Sequence, residues 1–168
     1  MPTNLCIIGV DPGSHATGWA VVQVSPTLRR LAGATVRPGR DLSLSSRLLV
    51  IHDELAAAIA AHAPTVMVVE ALFNARNARS SLVLGHARGA VLLAGARAGL
   101  TVCEYSPGEI KKAVTGNGQA SKEQVRFMVT RLLGLRDQPG LDESDAMAAA
   151  IAHQGRDRVA LRAAGGRT

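Results

Sequence analysis

Leu5-Cys6-Ile7-Ile8-Gly9-Val10-Asp11-Pro12-Gly13 is an unbroken apolar run that stops abruptly in a carboxylate and a turn. A short Ile/Val-rich run of this kind has the composition of a strand buried on both faces, and such a strand lies in the middle of its sheet. Pro12 has no backbone donor and Gly13 tolerates unusual dihedrals, so the ladder is expected to end there with Asp11 at its tip. A rigid strand end is a good mount for a charge that has to stay in place. The competing reading is an Asx-type turn in which Asp11 merely accepts hydrogen bonds ahead of Gly13. Against it stand three further carboxylates, each placed at the end of an element.

The first of these closes Thr65-Val66-Met67-Val68-Val69-Glu70, a second β-branched run ending in an acid. If this strand lies parallel and adjacent to the first, Glu70 and Asp11 project from the same edge of the sheet. Two carboxylates that close repel each other and raise one pKa unless a cation separates them. The plainer reading pairs Glu70 with an arginine such as Arg76. The other two acids open the last helix, in Leu141-Asp142-Glu143-Ser144-Asp145-Ala146, where the spacing of three puts Asp142 and Asp145 on one face. First-turn acids also serve as ordinary caps favoured by the helix dipole. If that face meets the two strand tips, four carboxylates converge.

Between these points the chain alternates elements in a way that suits one α/β domain. Ala16 to Val24 reads as a strand antiparallel to the first, and a third runs from about Arg30 to Val36. Leu44, Leu48, Ile51, Leu55 and Ile59 recur at helical spacing up to Pro64, with His52 and His62 expected at the surface. A long helix from about Ser80 to Ala98 carries Gly85, Gly89 and Ala90, small residues that would allow another helix close; tight internal packing against the sheet and a dimer interface are both consistent with them. Leu100 to Tyr105 is the next strand. Ser106-Pro107-Gly108-Glu109 and Ser121-Lys122-Glu123-Gln124 are capping-box signatures that start two more helices. Lys111 and Lys122 flank the Thr115-Gly116-Asn117-Gly118 loop, where they suit phosphate as point charges but also suit an ordinary exposed helix.

Composition narrows the classes. The 168 residues carry a formal net charge of +6, which favours a polyanionic partner such as nucleic acid over an excess of solvated arginine. No run approaches a membrane span and no signal-like segment leads the chain, so a cytoplasmic protein without membrane association is expected. Cys6 and Cys103 fall inside predicted strands as free thiols rather than a disulfide or a metal site. Aromatic residues are scarce, which leaves Phe73 as the candidate for base stacking. Oxygen ligands select hard ions such as Mg²⁺, with Mn²⁺ also accommodated, and a pair of ions promotes in-line phosphoryl displacement. The pattern therefore points to phosphodiester hydrolysis.

These residues resemble the RuvC family of Holliday junction resolvases, within the ribonuclease H-like superfamily. The likeness runs through Ile8-Gly9-Val10-Asp11-Pro12-Gly13, Glu70-Ala71-Leu72-Phe73, Leu84-Gly85-His86-Ala87-Arg88-Gly89-Ala90 and Asp142-Glu143-Ser144-Asp145-Ala146. It implies a ribonuclease H-like α/β fold, with a five-stranded mixed sheet flanked by helices. It implies Asp11, Glu70, Asp142 and Asp145 as catalytic ligands of two Mg²⁺ ions, with Glu143 an alternative fourth ligand. Phe73, Arg76, Lys111 and Lys122 take the DNA-binding positions. The resemblance further implies a homodimer, joined through the helix after Ser80, that nicks a four-way DNA junction symmetrically and works with the RuvA and RuvB branch-migration proteins. One nuclease domain over 1–160 and a flexible basic tail over 161–168 are expected. His153 is expected to be solvated, unless the last helix turns it towards the metal site. The alternatives are an RNA nuclease of the same superfamily, an inert junction-binding module, and an actin-like ATPase, whose D-x-G strand end Asp11 and Gly13 would satisfy but whose second half has no counterpart here.

Overall fold

The structure, a computed structural model, describes residues 5–13, 15–71 and 78–165. Five strands form one sheet: β1 (Cys6–Asp11), β2 (Thr17–Gln23), β3 (Arg29–Val36), β4 (Val66–Glu70) and β5 (Thr101–Tyr105). Their order is β3-β2-β1-β4-β5. β1 is antiparallel to β2 and parallel to β4, β2 is antiparallel to β3, and β4 is parallel to β5. The opening strand is thus central, as its uninterrupted apolar run predicts, with Ile7, Ile8 and Val10 wholly buried.

The period-2 alternation of the strands sorts the core into two layers. Ile8, Val10, Trp19, Val21, Met67 and Val69 face α1 (Leu44–His62) and α2 (Ala78–Arg97). Ile7, Ala20, Val22 and Val68 face α3 (Pro107–Thr115), α4 (Lys122–Leu132) and α5 (Leu141–Gly165). Asp11 and Glu70 follow Ile7 and Val68 in that alternation, so both point to the α5 side. Both capping boxes form. Ser106 and Glu109 exchange side-chain and backbone bonds at the head of α3, and Ser121 and Gln124 do so at the head of α4. These fix where α3 and α4 begin, and hence where Lys111 and Lys122 stand.

α5 lies almost on the sheet backbone. A Cβ at Gly9 would overlap the Ala146 carbonyl, and one at Gly18 would overlap the carbonyl of Asp142. Ala146, Met147, Ala148, Ala149 and Ala150 are all wholly buried, because the sheet covers one face of this stretch and α3 and α4 cover the others. Small residues on both partners let the helix come this close. Gly9→Ala is therefore expected to cost about 1–3 kcal/mol through forced displacement of α5. Gly155→Ala, where the added methyl meets open space, should instead be neutral or stabilising by up to ~1 kcal/mol. Urea denaturation of the two variants checks the pair.

Candidate active site

Four acids meet at the edge where the parallel strands end. Val10 pairs with Val69, so the residues that follow them, Asp11 and Glu70, stand side by side at neighbouring strand tips. The turn after β1 is tight: Gly13 N–H contacts Thr17 Oγ1 at 3.4 Å, and that hydroxyl donates to the Gly13 carbonyl at 3.2 Å. Among the described residues these turn bonds run through Thr17 rather than the Asp11 carboxylate. Asp142 is brought in by the contact of its own backbone with Gly18, the residue paired with Asp11. Asp145 follows one helical turn later.

The electrostatics show that the four share one neighbourhood. Burial pushes the Asp11 carboxyl up to about 8, helped by the charges of Glu70, Asp145 and Asp142 and opposed by Lys122. Burial likewise lifts Glu70 to about 7, with Asp145 adding to the shift and Lys122 and Lys111 opposing it. Lys122 Nζ donates to Asp145 Oδ2 at 2.7 Å, and this bond raises the lysine's own pKa. Of the two lysines, Lys122 bonds directly to an acid of the cluster, and Lys111 lies close enough for its charge to act on Glu70.

Other expectations resolve differently. Glu143 turns away to β3, where it binds Arg30 at 2.6 Å. It is held by that cation rather than aimed at the strand tips. His153 is not solvated but buried, with Nδ1 2.8 Å from the Tyr105 hydroxyl. Its helix face packs into the core beside β5, and Arg156 covers the Tyr105 ring at 4.9 Å while pairing with Glu109 at 3.3 Å. Phe73 and Arg76 lie outside the described residues. Sequence reading missed Arg37, whose Nη2 binds Asp142 Oδ2 at 3.1 Å; no local pattern announces a pair so far apart in the chain.

All four acids offer hard oxygen donors, and the burial and mutual repulsion that raise Asp11 and Glu70 are what a divalent cation would offset, so the residues fit a hard metal ion. Among the described residues, no three His, Cys, Asp or Glu side chains are already drawn together around one point at ligating distance. Two of the acids are instead engaged by Arg37 and Lys122.

Comparison with known proteins agrees with this geometry. The family model described as "Crossover junction endodeoxyribonuclease RuvC" matches residues 7–153. The chain belongs to the RuvC family. A RuvC protein of Halorhodospira halophila is 46% identical over 158 residues, covering 94% of this chain and 95% of its own. One of Oleidesulfovibrio alaskensis is 47% identical over 163 residues, covering 96% and 98%. The structure of Thermus thermophilus RuvC in complex with Holliday junction substrate superposes with a TM-score of 0.88 at 33% identity, covering 93% of this chain and 96% of that one. The ribonuclease H-like α/β architecture and the nuclease class are those of RuvC.

Because Asp11 is raised in the folded state, the metal-free protein should lose stability as pH rises from about 4, the unfolded value, through about 8. Below that window the folded state binds the extra proton; above it the charge must be carried in the fold. Asp11→Asn should flatten that loss, which is of the order of a few kcal/mol, in urea denaturation with a chelator present.

Proposed function

We propose that this RuvC-family chain resolves four-way DNA junctions by two symmetric metal-dependent phosphodiester cleavages. In this reading Asp11, Glu70, Asp142 and Asp145 are the catalytic residues and ligands of two divalent ions per site, Mg²⁺ or alternatively Mn²⁺. The observation that carries it is the meeting of two strand-tip acids and two helix acids within a chain of net charge +6. When bound, such a pair of ions supplies Lewis-acid stabilisation of the attacking and departing oxygens of an in-line displacement. The protein's own groups do the rest. The strand tips hold Asp11 and Glu70 still, α5 presents Asp142 and Asp145, and Lys111 and Lys122 hold the scissile phosphate beside them. Phe73 stacks on junction bases and Arg76 adds a backbone contact.

The active unit is a homodimer, since symmetric nicks require two sites. Its interface is the outer face of α2 with α1. Leu49, Leu82 and Leu93 are 59%, 63% and 53% exposed there, and Gly85 and Gly89 face open space. A groove of about 450 Å³ between the two helices is lined by Leu48, Leu49, Ala90 and Leu93. Residues 1–160 form one nuclease domain and 161–168 a basic tail that adds nonspecific affinity. None of the described helices is long and apolar enough to cross a membrane. The proposed place of work is the cytoplasm, beside the RuvA and RuvB branch-migration proteins.

Cleavage of a synthetic four-way junction in Mg²⁺, beside linear duplex and an RNA–DNA hybrid, tests the function. Paired nicks confined to the junction are expected. Asp11→Asn should remove them by more than the ~10–100-fold that loss of an outer metal-site partner costs, while junction binding persists. Cutting of the hybrid instead would move the substrate to RNA, and binding without cutting would leave an inert module. In sedimentation velocity the wild type is expected as a dimer and Leu93→Asp as a monomer; a dimeric variant would move the interface elsewhere.

A further inference from the structure

The carboxylate cluster has cations on one flank that the sequence made visible, Lys111 and Lys122, and one on the other flank that it did not. β3 is antiparallel to β2, which is antiparallel to β1, so β3 ends at the same edge of the sheet as β1 and β4. Val36, its last residue, pairs with Thr17 at that edge. Arg37 follows immediately, exposed between the buried Val36 and Pro38. The exposed side chain therefore projects from between two buried residues at the end of the strand.

We propose that Arg37 is a DNA-binding residue that grips a phosphate of the cleaved strand on the side of the carboxylates opposite Lys111 and Lys122. The inference rests on the junction-cleavage reading above and adds the second wall of its substrate groove. Arg37 touches Asp142 through Nη2 alone at 3.1 Å, and its side chain is 66% exposed. A guanidinium has five donors in a planar fork that matches phosphate, so most of its capacity is unspent. Ion pairs this exposed are weak, and exchange of a carboxylate for a phosphate is correspondingly easy. Arg30, near the start of β3, is different in kind. It binds Glu143 at 2.6 Å and the Gly33 carbonyl at 2.9 Å, which commits it to holding the helix to the sheet.

The pairing of Arg37 with Asp142 mirrors that of Lys122 with Asp145. Each helix acid has its own cation, one on each side of the cluster. A DNA strand crossing four acids meets repulsion at the centre and needs positive charge before and after it. Arg37 supplies that charge on the β3 side, where the described residues put neither lysine.

The test is fluorescence anisotropy of a labelled synthetic four-way junction in metal-free buffer, with salt varied, so that no readout depends on cleavage. Arg37→Gln is expected to weaken binding roughly three- to tenfold and to reduce the salt slope by about one. Arg37→Lys should recover most of the slope. Arg131→Gln, which removes the same charge on the outer side of α4, should cost less; an equal loss would mark general attraction and overturn the proposal. The Asp142→Asn background separates contact from neutralisation. If Arg37 touches DNA, Arg37→Gln costs the same factor there; if it only screens Asp142, the cost disappears and the proposal falls. Unchanged affinity in folded Arg37→Gln also overturns it. A wild type that prefers linear duplex to the junction would instead overturn the junction reading, and the Arg37 factor is then judged on duplex by the same criterion.

Discussion

Everything at the active edge depends on how closely α5 sits against β1 and β2. Gly9 and Gly18 leave no side chain between strand and helix, and the alanine run of α5 adds almost none from its side. The consequence is electrostatic as much as steric. Acids borne by a helix are delivered onto acids borne by strand tips, at a separation set by two backbones. Such an arrangement opposes folding on its own, because burial and like charge both disfavour the ionised state. Burial and repulsion of this sort are characteristic of functional sites, where stability is given up for a poised charge distribution.

The protein contains its own partial remedy. Lys122 and Arg37 engage the helix acids, while the strand acids answer mainly by a raised pKa. This division follows from geometry. Asp142 and Asp145 lie at the start of a helix with neighbours on α4 and after β3, whereas Asp11 and Glu70 lie between flanking strands.

Much of this was legible in the residues. Two apolar runs ending in acids gave the strand tips and, for adjacent parallel strands, the edge of the sheet they share. The two capping boxes set the starts of α3 and α4. What escaped were contacts between segments far apart. Arg37 and Asp142, or Arg30 and Glu143, meet because β3 lies beside the head of α5, and no periodicity encodes that. His153 escaped for a related reason: on an alanine-rich helix nearly every face is small enough to bury, so the sequence could not say which one the imidazole shares. It lies inside, on Tyr105. The small residues of α2 left packing against the sheet and a dimer interface both open; among the described residues, a Cβ at Gly85 or Gly89 would meet nothing within 4 Å.

The buried alanines of α5 bear on mechanical precision. A core built from long side chains can rearrange its rotamers and let an element drift by fractions of an ångström. Alanine has no rotamers to rearrange. Where α5 crosses the sheet it therefore behaves as a stiff bar on a close-fitting seat, and the backbone positions from which Asp142 and Asp145 project are fixed by backbone contacts rather than by long side chains. For any chemistry whose reacting atoms must stay aligned, a seat of this kind limits how far the helix that carries Asp142 and Asp145 can wander from the strand tips.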